Sequence, residues 1–161
     1  MIAEYQKFLS AEQPILNNKQ QSLSNAEQLI IILNELKNRN CQPPVSDTEI
    51  TATQSDIDRL KIETAELQKI VDEINANINE IGQISKDNRD TEMALVSNKY
   101  SQFLDKYDYL YEEVIRNENG LPDGGERKAA QDEANTSQTK LSNAQARLNL
   151  CPAAQATSTQ P

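Results

Sequence analysis

The chain has 161 residues, which is enough for one domain of ordinary size. Its net charge of −9 argues against nucleic acid as a partner, because such binding rests mostly on basic side chains that neutralise phosphates. The absence of histidine excludes a histidine catalytic pair, a histidine-ligated zinc ion and an imidazole pH switch. Four glycines leave little material for a phosphate-binding loop.

The first segment, residues 2–40, carries a seven-residue repeat in three neighbouring rows. The rows are Ile2, Leu9, Leu16, Leu23 and Ile30; Tyr5, Glu12, Lys19, Ala26 and Leu33; and Met1, Phe8, Ile15, Ser22, Leu29 and Leu36. A stripe this wide predicts a bundle helix rather than one strand of a two-stranded coil. Because Pro14 lies inside it, we expect a kink, or a short break with a new cap at Ser10. Pro43 and Pro44 forbid its continuation.

The second segment, residues 47–118, begins with a capping signal at Ser46 or Asp47. Its apolar seam turns polar around Ser85, Asn88 and Glu92 and resumes one residue out of phase at Val96. One interpretation is a single long helix that absorbs the phase shift by local winding. The other is a turn at residues 86–90, followed by a new helix capped by Asp90. We favour the single helix, because strong turn residues are missing at the shift.

The third segment follows a glycine-rich connection at residues 116–125 and predicts a helix over 126–150 with small residues on its seam. Residues 152–161 are a low-complexity tail that we expect to be disordered by itself. The predicted fold is therefore all-α. We expect an elongated antiparallel bundle or coiled coil of three long helices, or four if the chain breaks near residues 86–90, in one domain over residues 1–151.

The two cysteines, Cys41 and Cys151, follow the first and last predicted helices. In a compact up-down-up arrangement these helices point the same way, so both cysteines lie at one end and a disulfide can form within the chain. If residues 47–118 are one long helix and the last helix returns along its second half, the cysteines lie far apart. A disulfide can then form only between chains. Two unrelated thiols are the third alternative, and the sequence leaves all three open.

Five of the seven aromatic residues lie within residues 100–111. Tyr100, Phe103 and Tyr107 follow the seam, so we expect them in the core, packed on the last helix. Tyr109 and Tyr111 point away from that seam. Because tyrosine is favoured in protein interfaces, these two residues are the candidate partner interface.

Amide side chains are frequent, with 16 asparagines and 15 glutamines. Asn88 lies on the seam itself, where an asparagine costs stability but selects the register of the packed helices. Outward amides offer a neutral hydrogen-bonding surface to neighbouring subunits. The composition therefore suits a protein that is packed against others.

The sequence contains no pattern for catalysis, a cofactor or a metal ion, and acidic clusters on a heptad helix are ordinarily solvated surface. We therefore expect a non-enzymatic structural or assembly protein. It would be a strut or cement component of a larger assembly, such as a virion or an appendage, and its partners would be other protein subunits or further copies of the chain. The alternative is a helical chaperone or secretion-apparatus accessory protein that binds a partner helix.

The sequence also bears on location. The longest aliphatic run, Leu29–Leu33, is far too short to span a membrane, and residues 1–5 lack the basic leader of a signal peptide. We expect no membrane insertion, and a location inside the cell or within a virion or similar assembly.

Overall fold

The structure, a computed structural model, describes residues 1–84, 89–120 and 125–151. All regular secondary structure in these ranges is helical, which confirms the predicted all-α class. The helices are α1 (Ile2–Asn38), α2 (Asp47–Gly82), α3 (Arg89–Lys106), α4 (Leu110–Glu118) and α5 (Glu126–Asn149). None of these described helices is long and apolar enough to cross a membrane.

Helix α1 runs unbroken from Ile2 to Asn38 with Pro14 inside it, so the alternative of a break recapped by Ser10 is wrong. Its burial follows the heptad pattern. The rows through Tyr5 and Phe8 form the centre of the buried stripe, whereas the row through Ile2 lies at its margin and is mostly half-buried. The repeat therefore predicts the inward face of this helix correctly.

Helix α2 begins with a reciprocal cap between Ser46 and Glu49. The Oγ atom of Ser46 accepts the N–H of Glu49 at 3.1 Å, and a carboxylate oxygen of Glu49 accepts the N–H of Ser46 at 3.0 Å. This is the capping-box arrangement, which satisfies backbone donors that the first helical turn leaves unpaired. The helix ends at Gly82, so the predicted single helix over 47–118 is wrong.

The position of this break agrees only roughly with the alternative turn at residues 86–90. Residues 85–88, including Asn88 and its predicted register role, lie outside the described residues. Helix α3 already begins at Arg89, so Asp90 lies in its first turn. Residues 121–124 and the tail at 152–161 also lie outside the described part of the chain.

A second break separates α3 from α4 at Tyr107–Tyr109. The turn keeps short-range hydrogen bonds, since the N–H of Leu110 donates to the carbonyl of Tyr107 at 3.0 Å. The seam continues through it, and its buried members are Val96, Phe103, Tyr107, Leu110 and Val114. The described chain thus has five helices instead of the expected three or four, and the elongated three-helix coiled coil is not confirmed.

The chain divides into two compact units. Unit 1 consists of Met1–Asn17 and Ala65–Ala130, and unit 2 of Asn18–Thr64 and Gln131–Pro161. In unit 1, α3 runs antiparallel to α2, with Lys99 bonded to Glu80 at 2.6 Å and Lys106 to Glu73 at 2.9 Å. The apolar core of unit 1 comprises Tyr5, Phe8, Ala11, Ile70, Ile74, Phe103, Tyr107, Leu110 and Val114.

In unit 2, helix α5 runs parallel to α1 and antiparallel to α2. Pairs that establish these directions are Ser137 with Asn25, Cys151 with Cys41, Glu133 with Arg59, and Arg147 with Glu49. Helix α5 therefore pairs with the first half of α2. The one-long-helix interpretation required it to pair with residues beyond the middle of the 47–118 segment, which is incorrect.

Candidate protein-interaction surface

The aromatic cluster of unit 1 holds α4 in place. Phe103 packs edge-on against Tyr5 and Phe8, with ring centroids 5.2 and 5.3 Å apart, an arrangement that ring quadrupoles favour. Leu110 and Val114 of α4 enter the same core and are almost completely buried. Because these two residues are four positions apart, they turn one face of α4 inward and leave the opposite face outward.

The seam aromatics meet a different helix from the one the sequence predicts. Phe103 and Tyr107 are buried and Tyr100 is half-buried, as core residues should be. Their apolar neighbours, however, come from α1 and α2 rather than from α5. A heptad repeat specifies which residues face inward, but it carries no information about which other helix they will contact.

Tyr109 and Tyr111 are 55% and 52% exposed. Each ring leans on a different part of the core. Tyr109 lies 6.3 Å from Tyr107 and Tyr111 lies 6.5 Å from Phe8, measured between ring centroids. Tyr109 lies in the turn before α4, whereas Tyr111 lies in the first turn of that helix. The structure therefore places the two predicted interface tyrosines in separate patches.

One patch is formed by Tyr111 and Ile115, which we call the α4 patch. Ile115 is 42% exposed and lies one helical turn beyond Tyr111, so the two side chains are neighbours on the outer face of α4. Tyr100 packs edge-on against Tyr5, with ring centroids 5.2 Å apart. Burial, followed by the charges of Glu4 and Tyr111, raises the pKa of Tyr100.

Charged side chains form a rim beside the α4 patch. The ammonium of Lys7 lies 2.9 Å from a carboxylate oxygen of Glu118 and 3.4 Å from one of Glu4. These hydrogen bonds raise the pKa of Lys7. An exposed apolar centre with a polar rim is the usual composition of a protein-binding surface.

A layer of charged side chains crosses unit 2. Lys19 of α1 donates to Glu63 of α2 at 2.7 Å and to Glu133 of α5 at 2.6 Å. Arg59 donates to the same two carboxylates. The Lys19 side chain is 18% exposed, so this layer is partly shielded from water and ties three helices together.

Sequence analysis overlooked two buried polar residues and one partly buried lysine in the first helix. Glu12, Lys19 and Ser22 occupy rows of the first heptad repeat, so the pattern already places them on the inward face of α1. Glu12 and Ser22 are completely buried, and neither side chain has a hydrogen-bond partner among the described residues. The polar interruptions of the repeat were the signal that should have identified them.

The structure joins Cys41 and Cys151 by a disulfide within the chain, with their Cα atoms 5.7 Å apart. The bond links the segment after α1 to the end of α5 in unit 2. Arg39 reinforces this end by donating to the carbonyl of Cys151 at 3.2 Å. Both cysteines are buried beside Leu33 and Leu36, in a small apolar core of unit 2.

Among the described residues, no group of three histidine, cysteine, aspartate or glutamate side chains is arranged to hold a metal ion. Comparisons with protein-family models, with curated proteins and with solved structures found no match to this chain. Any functional conclusion must therefore rest on the residues and their arrangement.

Proposed function

We propose that this protein is a non-enzymatic assembly subunit that uses the α4 patch to bind another protein subunit. It would serve as a structural or cement component of a larger particle, such as a virion or an appendage. The observation that carries the proposal is the pair Tyr111 and Ile115, exposed side by side on a helix whose other face is buried in an aromatic core.

The composition of the patch supports this role. Exposed apolar residues that occur singly are normal on a protein surface and need no explanation. Tyrosine next to an aliphatic residue, bordered by the ion pairs of Lys7, combines an anchor that buries large apolar area with a rim that excludes water. Leu110 and Val114 hold the helix beneath it, so a partner would meet a preformed surface.

The disulfide is consistent with the same proposal. Disulfides persist mainly in oxidising surroundings, outside the cytosol. A subunit of an extracellular particle or appendage encounters such conditions. The Cys41–Cys151 bond would then maintain unit 2 after the protein leaves its site of synthesis.

The test compares the wild-type chain with a Tyr111→Ser, Ile115→Ser double variant as bait in a mild extract of the source organism, with captured proteins quantified by mass spectrometry. We expect the partner subunit to be recovered at least about tenfold less with the double variant, since tenfold corresponds to about 1.4 kcal/mol. Sedimentation of the purified chains shows whether the partner is a second copy.

The control is Ile62→Ser, which replaces an isoleucine of α2 that is 62% exposed and lies outside the patch. It should capture the partner as well as the wild type does. Circular dichroism must show that all three chains are folded. Equal recovery of the same proteins with the double variant and the wild type would refute a binding role for the α4 patch.

The chaperone or secretion-accessory alternative needs an open apolar groove for a partner helix. The stripe of α1, which would line such a groove, is occupied by the protein's own packing, with Phe8 and Leu33 almost completely buried. The arrangement of the described residues therefore favours the assembly role.

A further inference from the structure

Glu12 is a completely buried carboxyl group in unit 1. Its exposed fraction is 0%, and neither side-chain oxygen has a hydrogen-bond partner among the described residues. An ionised carboxylate in such a place loses its hydration without compensation, which costs far more than burying the neutral acid. Burial alone therefore favours the protonated form.

The groups that face Glu12 reinforce this preference. Glu113 of α4 and Glu126 of α5 both act on Glu12 with negative charge. Burial, followed by charges that include those of Glu12 and of Glu66 in α2, raises the pKa of Tyr109, which lies just before α4. Burial, followed by the charges of Glu126 and Glu113, raises the pKa of Glu12 from its ordinary 4.5 to about 7.

Two arginines lie in the same part of unit 1. Arg116 and Arg127 line a cleft of about 220 Å³ beside Glu113, and Arg127 donates to the side chain of Asn117 at 2.8 Å. Glu113 itself accepts the N–H of Glu126 at 2.9 Å, and so holds the start of α5. The carboxylate of Glu113 therefore links α4 to the first residue of α5.

We propose that Glu12 is a proton-binding site that locks the junction of α1, α4 and α5 in unit 1. With the proton bound, the carboxyl group is neutral and the junction stays closed. When the proton leaves, a buried charge faces two further carboxylates. The electrostatic cost of this buried charge falls when α1 moves away from α4 and the start of α5, because water then reaches Glu12.

The direction of the pH effect follows from the raised pKa. Protonated Glu12 contributes stability that is fully present below pH 4.5, declines above it, and is lost once the pH passes about 7. The difference between these two values corresponds to about a 300-fold change in the folding equilibrium constant. The full chain should therefore be more resistant to unfolding in mildly acidic than in mildly alkaline solution.

The test is urea unfolding of the full chain between pH 5 and pH 8, comparing the wild type with Glu12→Gln, which retains the shape of the protonated acid. We expect both proteins to have similar stability at pH 5. At pH 8 the Gln variant should be the more stable by up to about 300-fold in the equilibrium constant. Hydrogen exchange, corrected for its intrinsic pH dependence, should accelerate in α4 and at residues 126–130 only in the wild type.

Glu112→Gln is the matched control, because Glu112 is an exposed carboxylate adjacent to Glu113 on α4. It should show the pH dependence of the wild type. Should Glu12→Gln fail to fold, carboxyl-carbon NMR of the wild type gives the titration midpoint of Glu12 directly. A midpoint near the ordinary value of 4.5, or a Glu12→Gln variant whose stability has the same pH dependence as the wild type, would overturn the proposal.

Discussion

Glu12 and Lys19 occupy the same row of the first heptad repeat, and the protein accommodates them in opposite ways. Glu12 has no hydrogen-bond partner among the residues that the structure describes and is best tolerated as a neutral acid. Lys19 keeps its charge, because hydrogen bonds to Glu133 and Glu63 outweigh the effect of burial and raise its pKa. An interrupted heptad therefore has two physical solutions, and only the tertiary structure shows which one applies.

At this scale we predict that Lys19→Met destabilises the protein by about 1–3 kcal/mol, because it leaves Glu63 and Glu133 partly buried with fewer cations to pair with. Lys61→Met is the control, since Lys61 is 58% exposed and lies 3.8 Å from Glu27. That variant should change stability by less than about 1 kcal/mol. Urea unfolding at pH 7 measures the free energy of unfolding of both variants. Equal decreases would show that the ion pairs of Lys19 contribute no more to stability than the exposed ion pair of Lys61.

The same layer predicts a loss of stability in acid. Burial opposes ionisation of Glu63 and Glu133, but hydrogen bonds from Lys19 and Arg59 outweigh it and lower both pKa values. The ionised forms of Glu63 and Glu133 therefore contribute to folding stability at pH values above their ordinary pKa of 4.5. This contribution disappears as the pH falls below that value. Unfolding curves between pH 5 and pH 3 should show a steeper decline for the wild type than for Lys19→Met, and parallel declines would contradict this account.

The helices themselves show which boundaries a sequence can reveal. The end of α1 and the start of α5 lie close to their predicted positions, because prolines and glycines mark the neighbouring segments. The end of α2 at Gly82 was missed, although glycine disfavours a helix interior. The break at Tyr107–Tyr109 carries no glycine or proline, and the uninterrupted seam conceals it.

Choice of partner helix is the other property that local pattern does not determine. The apolar seam of α3 is compatible with packing on α5, as we expected, or on α1 and α2, as the structure has it. Aromatic rings explain the outcome, because Tyr5 and Phe8 offer edge-on contacts to Phe103 that the small residues of α5 do not offer. The candidate tyrosines were found from the seam, but Ile115 was not.

For the element α2 we predict that Ser46→Ala costs about 1 kcal/mol, because the N–H of Glu49 loses its acceptor. Ser55→Ala is the control, since Ser55 is exposed in the interior of the same helix and alanine is the better helix former there. Thermal unfolding distinguishes the two. A Ser55→Ala variant that lost as much as Ser46→Ala would contradict the assignment of the cap.

Over the whole molecule, the disulfide closes a loop with a sequence separation of 110 residues. A loop of this length restricts the unfolded chain enough to stabilise the folded state by about 4–5 kcal/mol in the chain-entropy account. We predict a loss of that order for the Cys41→Ala, Cys151→Ala double variant in urea unfolding. In the wild type, non-reducing peptide mapping of the monomer band should recover the two cysteines linked, whereas a dimer band that disappears on reduction would contradict the intrachain bond.

The central claim is that the α4 patch contacts another protein subunit, and photo-crosslinking tests it most directly. A photoreactive phenylalanine analogue placed at position 111 or, as a control, at position 62 is activated in the native assembly, and the adducts are identified by mass spectrometry. We predict one dominant protein adduct from position 111 and a much weaker or unrelated set from position 62. No adduct from position 111, or the same adducts in equal yield from both positions, would contradict the account.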